Sequence, residues 1–375
     1  MIKKTISFHF SFLIFLFSFF ILSPGILNTN ENPNLSAFSD PARIWGNGVE
    51  RLIEEAYRLF FQTRILGGRV INIRMPFAQN DERDVLTDVE WSFVESGKGE
   101  PGYLWEMING LLDSEDFAAY IEALGDGREK VIIFDLPNQS WTISRSLFDM
   151  ARMRTGSYQG LPHQPWVLRD GRGLTESDVY NYLYCVGLIG VDCSAFVWHV
   201  QAYIAAAGGV NLGRVLAHAL GVRDDLSPAR FAGTSFFNSN NSNIIPVRDE
   251  IRNLRPGDIL LFRAADGGMA HSAVIQSINF STGVIRYVQC TDEAPLAERG
   301  VHDSFIYFNP RNTRVSLSDP SLEWSKHRYP PFPGEIASPF SDDGLRYRAF
   351  PEHGGGRVVR LRPVAEAIAR INRRS

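Results

Sequence analysis

Cysteine is scarce in this chain of 375 residues: Cys185, Cys193 and Cys290 are all it has. Three thiols cannot pair completely, so a disulfide framework is excluded and at least one thiol stays reduced. A surplus of positive charge is also missing. Against 42 Asp and Glu stand 38 Lys and Arg, a formal charge of −4. The basic footprint of a nucleic-acid binder is therefore absent. Neither internal repeats nor low-complexity tracts occur. With 44% hydrophobic and 21% charged residues, 32 Gly and 20 Pro, the composition excludes a collagen-like or disordered chain. At roughly 150 residues per domain the length predicts about two domains.

Long hydrophobic runs are missing too, except at the start. Lys3 and Lys4 precede an apolar run from Ile6 to Leu22, which Pro24 and Gly25 break. That order is the n-region, h-region and breaker of a secretory signal. Residues 1–30 read as a cleaved signal peptide or as an uncleaved N-terminal anchor, since a span needs about 17–25 residues. No later run is long enough to span. The reading is an exported chain of the periplasm or cell envelope, with membrane contact only through an uncleaved N-terminal segment. Residues 31–40, rich in Asn, Pro and Ser, read as a linker.

Residues 41–150 read as a mixed α/β region of unknown role. Val49 to Phe61 has helical apolar spacing and Arg69 to Met75 alternates like a strand. Leu104 to Leu124 carries two helical patches split near Asp113 and Ser114. Lys130 to Asp135 reads as a strand and Ile143 to Met153 as a helix. Beyond Val179 the pattern becomes α+β: an apolar helix from Cys193 to Ala207, then short strands at Ile259 to Phe262, Ser272 to Ile278 and Val284 to Cys290. Asp319 to Phe350 reads as surface-covering chain, Arg357 to Leu361 as a last strand and Val364 to Ile371 as a short helix. Glu54-Glu55 and Asp224-Asp225 read as solvated acidic pairs. His199, His218 and His302 lack ligand spacing, so no metal site is expected, and no cofactor motif is present.

Three residues carry a chemical pattern. Cys193 opens a helix, where exposed N–H groups and the partial positive charge favour the thiolate. His271 opens a strand soon after the turn Arg255-Pro256-Gly257-Asp258, where an imidazole can accept a thiol proton. A hairpin centred near Phe280 or Ser281 sets His271 opposite Gln289 or Thr291. Gln289 is then placed to orient the ring as a third triad member, with Thr291 as the alternative and Cys290 on the other face. A half-residue shift of the hairpin would exchange Gln289 and Cys290.

The pattern Asp192-Cys193-Ser194-Ala195-Phe196-Val197, followed by Leu254-Arg255-Pro256-Gly257-Asp258-Ile259 and a strand-opening His271, resembles the NlpC-type cysteine peptidases of bacterial cell walls. The resemblance covers roughly residues 155–310. It implies a papain-like core of α+β class, a Cys-bearing helix packed on an antiparallel sheet, here with an additional α/β-mixed N-terminal region. The organisation it implies is a peptidase domain at 151–310 and a C-terminal extension at 311–375. By position Cys193 is the nucleophile, His271 the base and Gln289 the orienting residue. Members typically cut peptidoglycan stem peptides, so the implied partner is a peptidoglycan peptide. The resemblance also points to Asp192 and Ser194 as substrate-binding residues, against a helix-capping role. Tyr158, in Gly156-Ser157-Tyr158-Gln159-Gly160, best matches the family's tyrosine, which normally lies closer to the Cys. Ala195 replaces the usual Gly. Leu212 to Pro246 and the tail after Asn309 exceed a minimal catalytic domain. Two alternatives stand beside the hydrolase: a papain-like domain that binds wall peptide without cutting it, and a thiol acyltransferase or amidase acting elsewhere.

Overall fold

The computed structural model describes residues 48–77, 101–115, 117–118, 121, 130–134, 140–144, 179–180, 182–183, 189–222, 231–264, 267–291, 300–327, 339–341, 350 and 355–373. The expected signal or anchor at 1–30, the expected linker at 31–40, Tyr158, Cys185 and Asp224-Asp225 lie outside them. Contacts divide the chain into Met1–Phe38 and Ser39–Ser375, and every element below belongs to the second unit.

The class is mixed α+β. The helices of the described residues are α1 (Val49–Arg58), α2 (Pro101–Leu112), α3 (Cys193–Ala207), α4 (Leu212–Leu216), α5 (Thr234–Phe237) and α6 (Arg362–Asn372). Two small antiparallel hairpins are β1 (Phe61–Leu66) with β2 (Arg69–Arg74), and β3 (Lys130–Phe134) with β4 (Ser140–Ser144). The helix expected from Ile143 begins instead as strand, with Ile143 paired to Val131. Thr142 and Ile143 are β-branched and follow Trp141, residues that suit a pleated ladder.

The main sheet has eight strands: β5 (Ile244–Val247), β6 (Ile259–Arg263), β7 (Met269–Asn279), β8 (Val284–Thr291), β9 (Gly300–Tyr307), β10 (Glu323–His327), β11 (Pro339–Ser341) and β12 (Arg357–Leu361). Their spatial order is β11-β10-β9-β8-β7-β6-β12-β5, and every pairing is antiparallel. The last strand of the chain therefore inserts between β5 and β6. Leu212 to Pro246 supplies α4, α5 and most of the edge strand β5.

Period-two alternation divides the sheet into two faces. On one, Leu261, Val274, Val288, Cys290 and Val301 share a core with Phe196, Val197, Val200 and Ile204 of α3. On the other, Leu260, Phe262, Ala273, Ile275 and Tyr287 pack with Ile251, Leu254, Leu317 and Phe350. The segment Asp319 to Phe350 is more than a surface cover. Trp324 and Phe350 stack at 5.4 Å, Phe262 stands edge-on to both, and Phe350 is fully buried. Large aromatic areas leave water more readily than the local Pro and Ser content indicates.

The N-terminal segment joins the same core. α1 and α6 both pack on α3, and Leu52, Ile53 and Ala56 lie in the α3 cluster. Glu54 is no solvated residue. It is fully buried, 2.6 Å from Arg286 of β8 and 2.9 Å from Arg58. Arg286 also meets Asp303 of β9 at 2.8 Å and lies over the Tyr57 ring. Burial pulls the Arg286 guanidinium down, and the Glu54 and Asp303 carboxylates more than reverse this, leaving it above its ordinary value. A buried ion is tolerated only with such partners.

Two glycines admit the chain after β2. A Cβ on Gly190 would lie 2.3 Å from the Pro76 carbonyl oxygen, and one on Gly300 2.4 Å from that of Met75. Gly300 also has φ +140. Through this gap Met75 to Phe77 bonds to both neighbours: Val191 N donates to Pro76 O at 2.9 Å and Val301 N to Met75 O at 3.0 Å.

Candidate active site

The site begins at the first turn of α3. Asp192 is its N-cap, in extended backbone. Its Oδ1 accepts from Ala195 N at 2.6 Å and from the Ser194 hydroxyl at 2.9 Å. A carboxylate there satisfies a donor that the helix cannot pair itself. Both side chains are buried, and this geometry is that of a cap. Cys193 follows as the first helical residue, 9% exposed. Cys193 and Cys290 are both thiols. Cys290 is wholly buried and donates its S–H to Val191 O at 3.0 Å. That contact sets the start of α3 at the end of β8.

His271 is the third residue of β7, at the same end of the sheet, and is fully buried. The turn before β6 holds its place. Asp258 accepts from Arg255 N at 2.8 Å and from Arg360 Nε and Nη2 at 2.6 and 2.8 Å, tying the Arg-Pro-Gly-Asp motif to β12. Burial pushes the Asp258 carboxyl up, and Arg360 opposes the shift.

His271 Nε2 is 2.7 Å from Gln289 Oε1. The amide oxygen only accepts, so Nε2 carries the proton and Nδ1 is the basic nitrogen. The pairing arises from a register step. From the hairpin tip, Asn279 pairs with Val284 and Ser277 with Arg286; one step on, Ile275 pairs with Tyr287 and Ala273 with Gln289. Gln276 is the extra residue of this β-bulge. Were Gln276 paired in the ladder instead of bulged, Ala273 would face Cys290, and Gln289 would point to the other side. The bulge is fixed to α1 by Gln276 Nε2, which donates to Glu50 O at 3.1 Å. Thr291, the alternative third member, is buried at the end of β8.

Two further polar side chains complete the cluster. Gln289 Nε2 donates to Ser304 Oγ at 2.7 Å and lies 3.5 Å from His302 Nε2. His302 is directly opposite Gln289 on β9. No spacing signal marks His302 or Ser304 in the sequence, because their link to Gln289 depends on the β8–β9 register.

Alternation places His271, Gln289, His302 and Ser304 on one face, together with Phe262, whose ring is 5.3 Å from that of His271. α3 packs on the other face, beside Cys290. Thiol and imidazole thus stand at one end of the sheet, on elements belonging to its opposite layers. Among the described residues no three His, Cys, Asp or Glu side chains gather as metal ligands, and no helix is long and apolar enough to cross a membrane. Compared with protein-family models, curated proteins and solved structures, the chain matches none.

Proposed function

We propose that the chain is an exported cysteine hydrolase with a papain-like, NlpC-type core, cutting amide bonds in peptidoglycan stem peptides. The observation that carries this reading is the oriented imidazole: Gln289 holds the Nε2–H of His271 and leaves Nδ1 as base, at the sheet end where Cys193 opens α3. In the proposed reaction His271 takes the thiol proton, the thiolate attacks the peptide carbonyl carbon, and the proton passes to the departing amine. Water then hydrolyses the thioester. Helix N–H groups beside Cys193 supply donors for the developing oxyanion. Residues 1–30 deliver the chain to the wall, as a cleaved signal or as an anchor.

A second reading, a domain that holds wall peptide without cutting it, draws on one observation. His271 lies in the layer of Phe262, whereas α3 packs over the opposite face. Digestion of purified peptidoglycan separates the two. The hydrolase releases soluble peptides with new amino termini, and Cys193→Ala releases none while remaining folded. Binding without release by the unaltered protein, or equal release by Cys193→Ala, would sink the hydrolase.

A further inference from the structure

We infer that His302 is a positioning residue that sets the Gln289 amide, so that its oxygen faces His271 and fixes the proton of that ring on Nε2. His302 Nδ1 lies 3.2 Å from Gly300 O. A carbonyl oxygen only accepts, so Nδ1 carries a proton, and in the neutral ring Nε2 presents a lone pair. That lone pair faces Gln289 Nε2 at 3.5 Å. Ser304 Oγ stands 2.7 Å from the same amide nitrogen.

The His302 lone pair accepts only from the NH₂ end of the amide, whereas the Ser304 hydroxyl can serve either end. Turning it over would set the amide oxygen against the His302 lone pair and direct the NH₂ group at His271. His271 would then have to accept at Nε2 and carry its proton on Nδ1, the nitrogen a general base needs bare. Gln289, Ser304 and His271 are fully buried and His302 is 3% exposed. In such a place hydrogen bonds act at short range without competition from bulk water. His302 acts only through Gln289. The inference does not rest on hydrolysis and holds for either reading of the function.

The test is the imidazole ¹⁵N–¹H spectrum of the full chain, with His271 assigned by the loss of its signals in His271→Gln. The unaltered protein should show His271 in the Nε2–H form. His302→Phe should move the ratio of the two tautomers by about fivefold toward Nδ1–H, the size of one net hydrogen bond. Ser304→Ala removes a neighbour that serves either end of the amide and should leave the ratio near its starting value. A His271 signal of Nδ1–H type in the unaltered protein would overturn the inference. So would an unchanged ratio in His302→Phe. The spectrum reads the tautomer whether or not peptide is cut, so a protein that fails to hydrolyse peptidoglycan can still pass or fail here.

Discussion

Cys193 and Cys290 have opposite surroundings. Cys290 is sealed under Val191, to whose carbonyl it donates, and an apolar enclosure disfavours a thiolate. Cys193 is the first residue of a capped helix, where N–H groups favour one. Timed alkylation of the folded protein, read by mass spectrometry, should therefore modify Cys193 well before Cys290. Equal rates at the two positions would contradict the assignment of Cys193 as nucleophile. Asp192 is an ordinary cap by its geometry, so Asp192→Ala should cost about 0.5–2 kcal/mol of stability. A denaturant midpoint unchanged by that substitution would show that the cap bond contributes nothing.

At the scale of elements, the bulge at Gln276 decides which residue meets His271. Deleting Gln276 removes the extra residue and leaves Ser277 with Arg286, Ile275 with Tyr287 and Ala273 with Gln289 in one continuous register. The expected outcome is a retained His271–Gln289 hydrogen bond, seen in the imidazole spectrum. Loss of that signal would show that the bulge itself is needed to hold Gln289 against His271. This junction also marks the limit of what the sequence reveals. Apolar spacing in Val49 to Phe61 and Cys193 to Ala207 locates α1 and α3, because each must bury one stripe. The turn Asn279 to Gly283 locates the β7–β8 hairpin, and face alternation from its centre sets Gln289 and Thr291 on the side of His271. That agreement needs the bulge, which no residue pattern announces. Glu54 reads as solvated because Arg286, its partner, is 232 residues away. The place of β12 between β5 and β6 is hidden for the same reason: a short alternating segment does not name its neighbours.

For the whole molecule, the ends of the described chain hold the helix that bears Cys193. α1 and α6 flank α3, and the Glu54–Arg286–Asp303 group ties α1 to the centre of the sheet. Residues 48–77 are thus part of the support of the site. Glu54→Ala leaves Arg286 buried with one carboxylate in place of two. Breaking a buried pair in this way costs about 3–5 kcal/mol, so urea unfolding should show a marked drop in midpoint. A change below about 0.5 kcal/mol, the size expected for an ordinary surface site, would mean that α1 contributes little to holding the sheet.

The central claim is that Cys193 and the His271–Gln289 pair act as one catalytic unit although they belong to opposite layers of the sheet. Single-turnover acylation of Cys193, measured in the unaltered protein and in His271→Ala and Gln289→Ala, tests it most directly. His271→Ala should slow acylation by about 10²–10⁴, the usual worth of a general base, and Gln289→Ala by less. The double variant should be little slower than His271→Ala alone, since groups acting as a unit are not additive. Acylation at the same rate with and without His271 would contradict the account and leave the imidazole as a structural group of the aromatic layer beneath Phe262.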